Sequence, residues 1–285
     1  MSPAPATAPP FSFSRLREIK HDNDPVNVLY YGGSKTGKTW FLGTAGDRTL
    51  LIDTGDGTIT LDSKLYKEKV NSNPIIVSIR EKIGSRGVPE VANAFDYVCD
   101  AIDYALVNFP NDFDTVACDD LTTLRKFAMN KGLEVNQQTG KSQTKKNIVD
   151  KYDFIIPAVQ DYGVEMSLIE QFLSNYISIT RRAGKNFIVA AHQRYTFGDK
   201  KGIGESPVVK EVRPAVTGSQ FPDAITALFD NVWHAERVSG GDSAVYRARV
   251  HGDEITVAGT RHGGVFKTVE SDPNFLKMLA RIRAA

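Results

Sequence analysis

The chain has 285 residues, 41% hydrophobic and 24% charged, which is enough apolar material for a substantial core in one large domain. Its formal charge of +1 at neutral pH excludes a histone-like or polybasic protein, so any contact with nucleic acid must come from local positive patches. No stretch approaches the roughly 18 apolar residues of a bilayer span, and the two cysteines, Cys99 and Cys118, have neither metal-ligand spacing nor the density of a disulfide scaffold.

Residues 1–10 lack the basic start and apolar run of a secretory signal. With the polar lead-in that follows, residues 1–24 read as a flexible tail ahead of a single domain over 25–285. A reducing cytoplasm is the expected compartment, and no membrane contact is expected. Residues 26–31 are apolar and β-branched and break at Gly32-Gly33, as a buried strand entering a turn does, and a helix is expected from Lys38. Residues 49–53, 75–79, 115–118 and 186–191 are further compact apolar runs of strand length.

Between the last two, residues 162–182 keep Leu168, Phe172 and Ile177 on one helical face, with Gly184 at the place of a C-terminal cap. Strands separated by helices imply parallel pairing, so the expected class is α/β, a mostly parallel central sheet flanked by helices. Residues 231–237, 244–250 and 254–257 read as a C-terminal antiparallel β-meander before a final helix near 272–283. Two long polar stretches, 131–151 and 194–218, read as loops, and loops of that length usually carry function or are disordered.

Gly32-Gly33-Ser34-Lys35-Thr36-Gly37-Lys38-Thr39 satisfies G-x-x-x-x-G-K-[ST] between a strand and a helix, the signature of a phosphate-binding P-loop. Glycines let the backbone wrap a phosphate, successive N–H groups face it, Lys38 neutralises the β- and γ-phosphates, and the Thr39 hydroxyl ligates Mg2+. The expected cofactors are ATP and Mg2+, with no base-reading motif to separate ATP from GTP. Trp40 is a packing residue that also lies near any bound nucleotide.

Such a site needs an acid at the end of a second strand to hold the cation. Asp114 to Asp120 is an apolar strand that ends in paired carboxylates, and Asp119 is the choice for that acid. Asp120 is the alternative, and it equally suits the cap of a helix starting near Leu121. His192-Gln193 follows directly on the strand at 186–191. A histidine there is more often structural. In P-loop ATPases with an extra strand between the P-loop strand and the acidic strand, however, this strand end lies beside the γ-phosphate and carries a polar sensor.

In order along the chain, the P-loop, LLIDTGDG, TVACDD, a long helix, IVAAHQR, a polar loop ending in Thr217-Gly218-Ser219, and VAGTRHGG resemble the RecA superfamily. The resemblance is to the phage nucleotide-binding ATPases that include RecA-like single-strand annealing proteins. It implies a RecA-like P-loop NTPase core, ATP hydrolysis, and a role in recombination, annealing or replication. The partners it implies are single-stranded DNA, a single-strand-binding protein and further copies of the chain in a ring or filament.

The resemblance casts His192 and Gln193 as the sensor linking the γ-phosphate to a DNA-binding loop at 194–218, and 131–151 as a second DNA-facing loop. The first of these carries Arg194, Lys200, Lys201, Lys210 and Arg213 with Tyr195 and Phe197; the second carries Lys131, Lys141, Lys145, Lys146 and Lys151. Basic groups with aromatics suit the phosphates and bases of a single strand, although charge runs are as a rule solvated surface.

Two departures stand out. RecA-like proteins commonly end the second strand in I-D-x-E, whose glutamate activates water; here Ile52-Asp53-Thr54-Gly55-Asp56 puts glycine at that place and Asp56 one residue on. Asp56 is the expected substitute, shorter by one methylene, with Asp53 or Asp119 as alternatives. Hexameric RecA-type helicases also present a lysine and an arginine to the neighbour's γ-phosphate; only Arg261 is kept here, as a candidate trans finger. A nucleotide-gated switch with little turnover and a small-molecule kinase are the competing functions.

Overall fold

A computed structural model describes residues 24–82, 91–138, 157–198, 208–218, 221–240 and 243–285. The tail at 1–23 lies outside the described residues.

Six parallel strands form the centre of the sheet. They are β1 (Asn27–Gly32), β2 (Thr49–Asp53), β3 (Ile75–Ser78), β4 (Thr115–Asp119), β5 (Asn186–Phe197) and β7 (Asn231–Gly240), lying in the order β7-β1-β5-β4-β2-β3. β1, β2 and β4 are buried along their whole length, which is why they read as unbroken apolar runs: a parallel sheet is covered on both faces. Alternate residues serve two cores. Leu29, Tyr31, Ile52, Val116 and Val189 face α3 (Ala94–Asn108), α4 (Leu121–Gln138), α5 (Val159–Arg182) and α6 (Phe221–Leu228). Val28, Tyr30, Leu51, Ala117 and Ile188 face α1 (Lys38–Gly43) and the C-terminal helix α7 (Phe275–Arg283). α2 (Lys64–Lys69) is a short helix between β2 and β3.

The helices follow from spacing and caps. α7 buries Phe275, Met278, Leu279 and Ile282, one stripe at three- and four-residue intervals, and Asn274 caps it by accepting from the Lys277 N–H at 3.0 Å. α5 begins three residues before the expected start, where the Asp161 carboxylate reaches back to the Ala158 N–H at 2.7 Å. It ends where Gly184 takes φ +72°, a left-handed conformation that glycine adopts without strain.

Three expectations are corrected. Residues 194–218 are not one loop: β5 runs on to Phe197 and pairs antiparallel with β6 (Val209–Pro214), making a hairpin that extends beyond the sheet. Residues 131–138 are the last turns of α4 rather than loop, and Lys131 is bound to Asp96 on α3. The meander exists but is composed differently. β7 belongs to the parallel sheet through β1 and pairs antiparallel with β8 (Ser243–Arg249), and the next strand out is β10 (Val269–Ser271). Residues 254–257 form no strand; Thr256 bridges Val212 of β6 instead, while β9 (Gly259–Thr260) pairs with the start of β7. The backbone of 254–257 holds the hairpin base, with Val212 N–H donating to Ile255 O at 2.7 Å and Val257 N–H donating to Val212 O at 3.0 Å. Among the described residues, no helix is long and apolar enough to cross a membrane.

Candidate nucleotide site

The P-loop leaves the carboxyl end of β1 at the middle of the sheet. Lys35 and Gly37 take positive φ, 60° and 85°, so the backbone curls between Gly33 and Lys38 and turns its N–H groups inward. The turn is braced internally: Thr36 Oγ1 donates to Gly33 O at 2.9 Å. Ser34 and Lys35 are exposed on its rim. Lys38 is buried and donates through Nζ to Gly32 O at 3.1 Å and Gly33 O at 2.7 Å. Burial lowers its pKa, and Asp120 and Asp119 work against that shift. Trp40 lies behind the loop with its ring edge-on to Tyr66, 5.1 Å between centroids.

Thr39 and Asp119 meet directly, Oγ1 donating to Oδ2 at 2.5 Å. Asp119 is 4% exposed, and burial pushes its pKa from 3.8 up to about 6, against the pull of the Thr39 hydroxyl and with Asp120 and Asp53 adding repulsion. Gly57 flanks the pair closely: a Cβ built there would lie 2.5 Å from Asp119 Oδ2 and 2.7 Å from Thr39 Oγ1. A hydroxyl and a buried carboxylate side by side are hard oxygen ligands, and the curled backbone with Lys38 fits a triphosphate, so this residue set suits a nucleotide held with Mg2+. Such a cation would polarise the phosphoryl oxygens and favour the ionised form of Asp119.

Asp120 takes the helix-capping role, one of the two that its sequence position left open. Its Oδ1 accepts from the Thr123 N–H at 2.7 Å, capping α4, while Oδ2 lies 3.4 Å from His192 Nε2. The Asp119–Asp120 peptide is cis. β5 lies between β1 and β4, in register so that His192 is opposite Gly32. Burial and the Lys38 charge lower the His192 pKa, against Asp120. Gln193 is beside the P-loop: a Cβ on Gly33 would be 3.6 Å from its Nε2. That amide donates to the Tyr195 hydroxyl at 2.5 Å, and its Oε1 is 2.7 Å from His234 Nε2.

Other expected residues fall elsewhere. The Asp56 side chain is 84% exposed and is gripped by Arg80, whose Nε donates to Oδ1 at 2.9 Å; among the described residues it makes no hydrogen bond or ion pair with the P-loop. The same Arg80 binds buried Asp53 at 2.9 Å, so the turn after β2 is organised around a guanidinium. Arg261 pairs with Asp230 at 2.9 Å, next to β9 and the start of β7, at the opposite end of the sheet from its own P-loop. Arg213 is buried and paired with Glu211 at 3.2 Å, and Arg194 donates to Val216 O and Gly218 O at 2.8 and 2.6 Å. Arg194 therefore ties β5 to the segment after β6, Arg213 pairs within β6 itself, and Lys210 is exposed. Lys141, Lys145, Lys146, Lys151, Lys200 and Lys201 lie outside the described residues. Gly57 and His234 were not anticipated; the paired glycines of Gly55-Asp56-Gly57 were the visible hint for the first, and nothing in the sequence marks the second.

A P-loop at the end of a central parallel strand, an acid two strands away and a polar residue on the strand between define a P-loop nucleotide-binding domain of the ATPase type. The chain belongs to the AAA domain family: the family model AAA_24 matches residues 24–262. No curated protein matches it.

Proposed function

We propose that this protein is a RecA-like ATPase, of the group that phages encode, that hydrolyses ATP with Mg2+ and binds single-stranded DNA in recombination, annealing or replication. The observation that carries this reading is Gln193. It lies beside the P-loop on one side and hydrogen-bonds Tyr195 on the other, and Tyr195 and Phe197 stand exposed on the hairpin with ring centroids 6.3 Å apart. Two exposed aromatics on one face of a strand suit base stacking, and Lys210 on the partner strand adds charge for a phosphate. A γ-phosphate at the P-loop would draw on Gln193, and Tyr195 would feel it through one hydrogen bond. Assembly of several copies along DNA would bring Arg261 of one copy to the site of another.

A second reading, a nucleotide-gated switch with slow turnover, is favoured by Gly55 and by Asp56 being held by Arg80. The kinase reading is disfavoured by the strand order, since kinases of this fold usually place the acidic strand beside the P-loop strand and here β5 intervenes. Phosphate release measured with and without single-stranded oligonucleotide tests the first reading. DNA-stimulated release supports it; tight ATP binding with no release in either condition supports the switch; release only with an acceptor hydroxyl supports the kinase.

A further inference from the structure

Two strands beyond the P-loop carry a row of side chains that begins in the core and ends in the open. On the face that packs α1, β7 presents Trp233 and Ala235, β8 presents Ala248, and Val250 follows just past its end, all buried with Phe41 and Leu42. Side chains alternate along a strand, so the next residues on this face are Arg237 and Tyr246. They are direct cross-strand partners, and both are exposed, Tyr246 by 38%.

Their height places them at the P-loop. Gly32 pairs with Ala235, so Arg237 lies one alternation further along, past the point where the loop begins. The Tyr246 ring reaches the loop itself: a Cβ on Gly37 would be 3.0 Å from its Cδ1 and 3.5 Å from its Cε1. The platform is also rigid. β8 is held between β7 and β10, and the Tyr246 carbonyl accepts from the Asp272 N–H at 3.0 Å.

An aromatic ring left exposed where a core row runs out, against a phosphate-binding glycine and opposite a guanidinium, is suited to a flat, partly polar ring. The side of the P-loop facing β4 is taken by Thr39, Asp119 and Gly57, so a nucleoside extending from the phosphates has β7 and β8 as its open side. We propose that Tyr246 and Arg237 form the nucleobase subsite, a stacking platform for the purine ring of the bound nucleoside triphosphate. This rests on the P-loop reading of the site. Stacking on a phenol tolerates any purine, which accords with the lack of a base-reading motif.

The test is calorimetric titration of the full chain, with Mg2+ present, using ATP and, separately, inorganic triphosphate, which has no base. Tyr246→Ala is expected to weaken ATP about 5- to 150-fold, the range that loss of a base–aromatic stack spans, and to leave inorganic triphosphate within about twofold. Tyr246→Phe should keep wild-type ATP affinity, and the exposed Arg237→Ala should weaken ATP about 2- to 5-fold, as loss of an exposed cation–π contact does. ATP affinity unchanged or tighter in Tyr246→Ala overturns the proposal, as does equal weakening of both ligands, which would mean a deformed loop. Wild-type protein that binds neither ligand overturns the P-loop reading, and the subsite with it; binding of triphosphate with no gain from the base overturns the subsite alone.

Discussion

The ring of His234 and the side-chain amide of Gln193 meet at the mouth of the P-loop, Nε2 to Oε1 at 2.7 Å. Because the amide oxygen can only accept, His234 donates from Nε2, and Nδ1 is left facing Glu236 Oε1 at 3.5 Å. That ring nitrogen has no hydrogen-bond partner among the described residues, and Arg249 holds the glutamate separately at 2.7 Å. The Gln193 amide nitrogen then points to Tyr195.

Gln193→Ala removes the link between phosphates and hairpin while leaving Lys38, Thr39 and Asp119 untouched. ATP affinity should change by no more than about tenfold, since a single hydrogen bond contributes about 0.5–1.5 kcal/mol net and this one runs to the sensor rather than the anchoring groups. Stimulation of phosphate release by single-stranded DNA should be lost. Full stimulation in the variant would remove Gln193 from the coupling.

Lys38 supplies the only lysine charge within the P-loop turn that is buried, and it is already aimed at the backbone the phosphates would line. Lys38→Ala should weaken ATP with Mg2+ by about 10- to 100-fold, the scale of a hydrogen bond to a charged group, and abolish phosphate release. Equilibrium binding of labelled ATP checks the first and a phosphate-release assay the second; release equal to wild type would show that the site is elsewhere.

Much of this arrangement could be read from residues alone, and what could not has a physical cause. The P-loop and the strands at β1, β2, β4 and β5 were legible because strands covered on both faces become unbroken apolar runs. The hairpin was not, because beyond Ala191 β5 leaves the double cover and its residues turn polar, which looks like a loop. α3 was missed although Phe95, Val98, Ile102 and Ala105 form its buried stripe, because exposed Tyr97 and Tyr104 blur the contrast between its faces. Gly57 beside Asp119 and Tyr246 beside Gly37 are contacts across the fold, and no local pattern encodes them.

Asp119 makes metal-free stability depend on pH. Its folded pKa is raised from 3.8 to about 6, so between roughly pH 4 and 6 the folded state binds more protons than the unfolded chain, and stability falls as pH rises through that window. Above it the buried carboxylate is ionised at a cost. Asp119→Asn should therefore be more stable than wild type at pH 8 by about 1–3 kcal/mol and lose this component of the pH slope. Urea unfolding in a chelator at pH 5 and pH 8 measures it; an asparagine variant less stable at both pH values would contradict the desolvated carboxylate.

Gly57→Ala puts a methyl where Asp119 Oδ2 and Thr39 Oγ1 stand, 2.5 and 2.7 Å away. The pair must separate or tilt. Overpacking costs about 1–3 kcal/mol of stability, but the larger effect should fall on the cation, with the Mg2+ dependence of ATP binding shifted at least about tenfold to higher concentration. Titrating Mg2+ at fixed ATP reads this directly, and an unchanged midpoint would mean that Thr39 and Asp119 do not ligate the cation.

Gly55 is the place where RecA-like sequences commonly carry the glutamate that activates water, and the fold leaves room for one. A Cβ there would be 3.4 Å from Thr123 Oγ1 and 3.5 Å from Asp120 Oδ2, ordinary contacts, and it would point toward the Asp120–His192 pair rather than toward Arg80. Asp56, by contrast, is tied outward by Arg80. Gly55→Glu should thus raise the single-turnover rate of ATP hydrolysis by about 100-fold, the low end of what a positioned general base contributes, with ATP affinity near wild type. The nearby Asp120 carboxylate disfavours a second negative charge, so the gain should be greatest toward pH 8, where glutamate is ionised despite it. A rate unchanged from pH 6 to pH 9 would mean that the turn after β2 holds any carboxylate at this position out of reach of the water, and slow turnover would then be a property of the backbone rather than of one missing side chain.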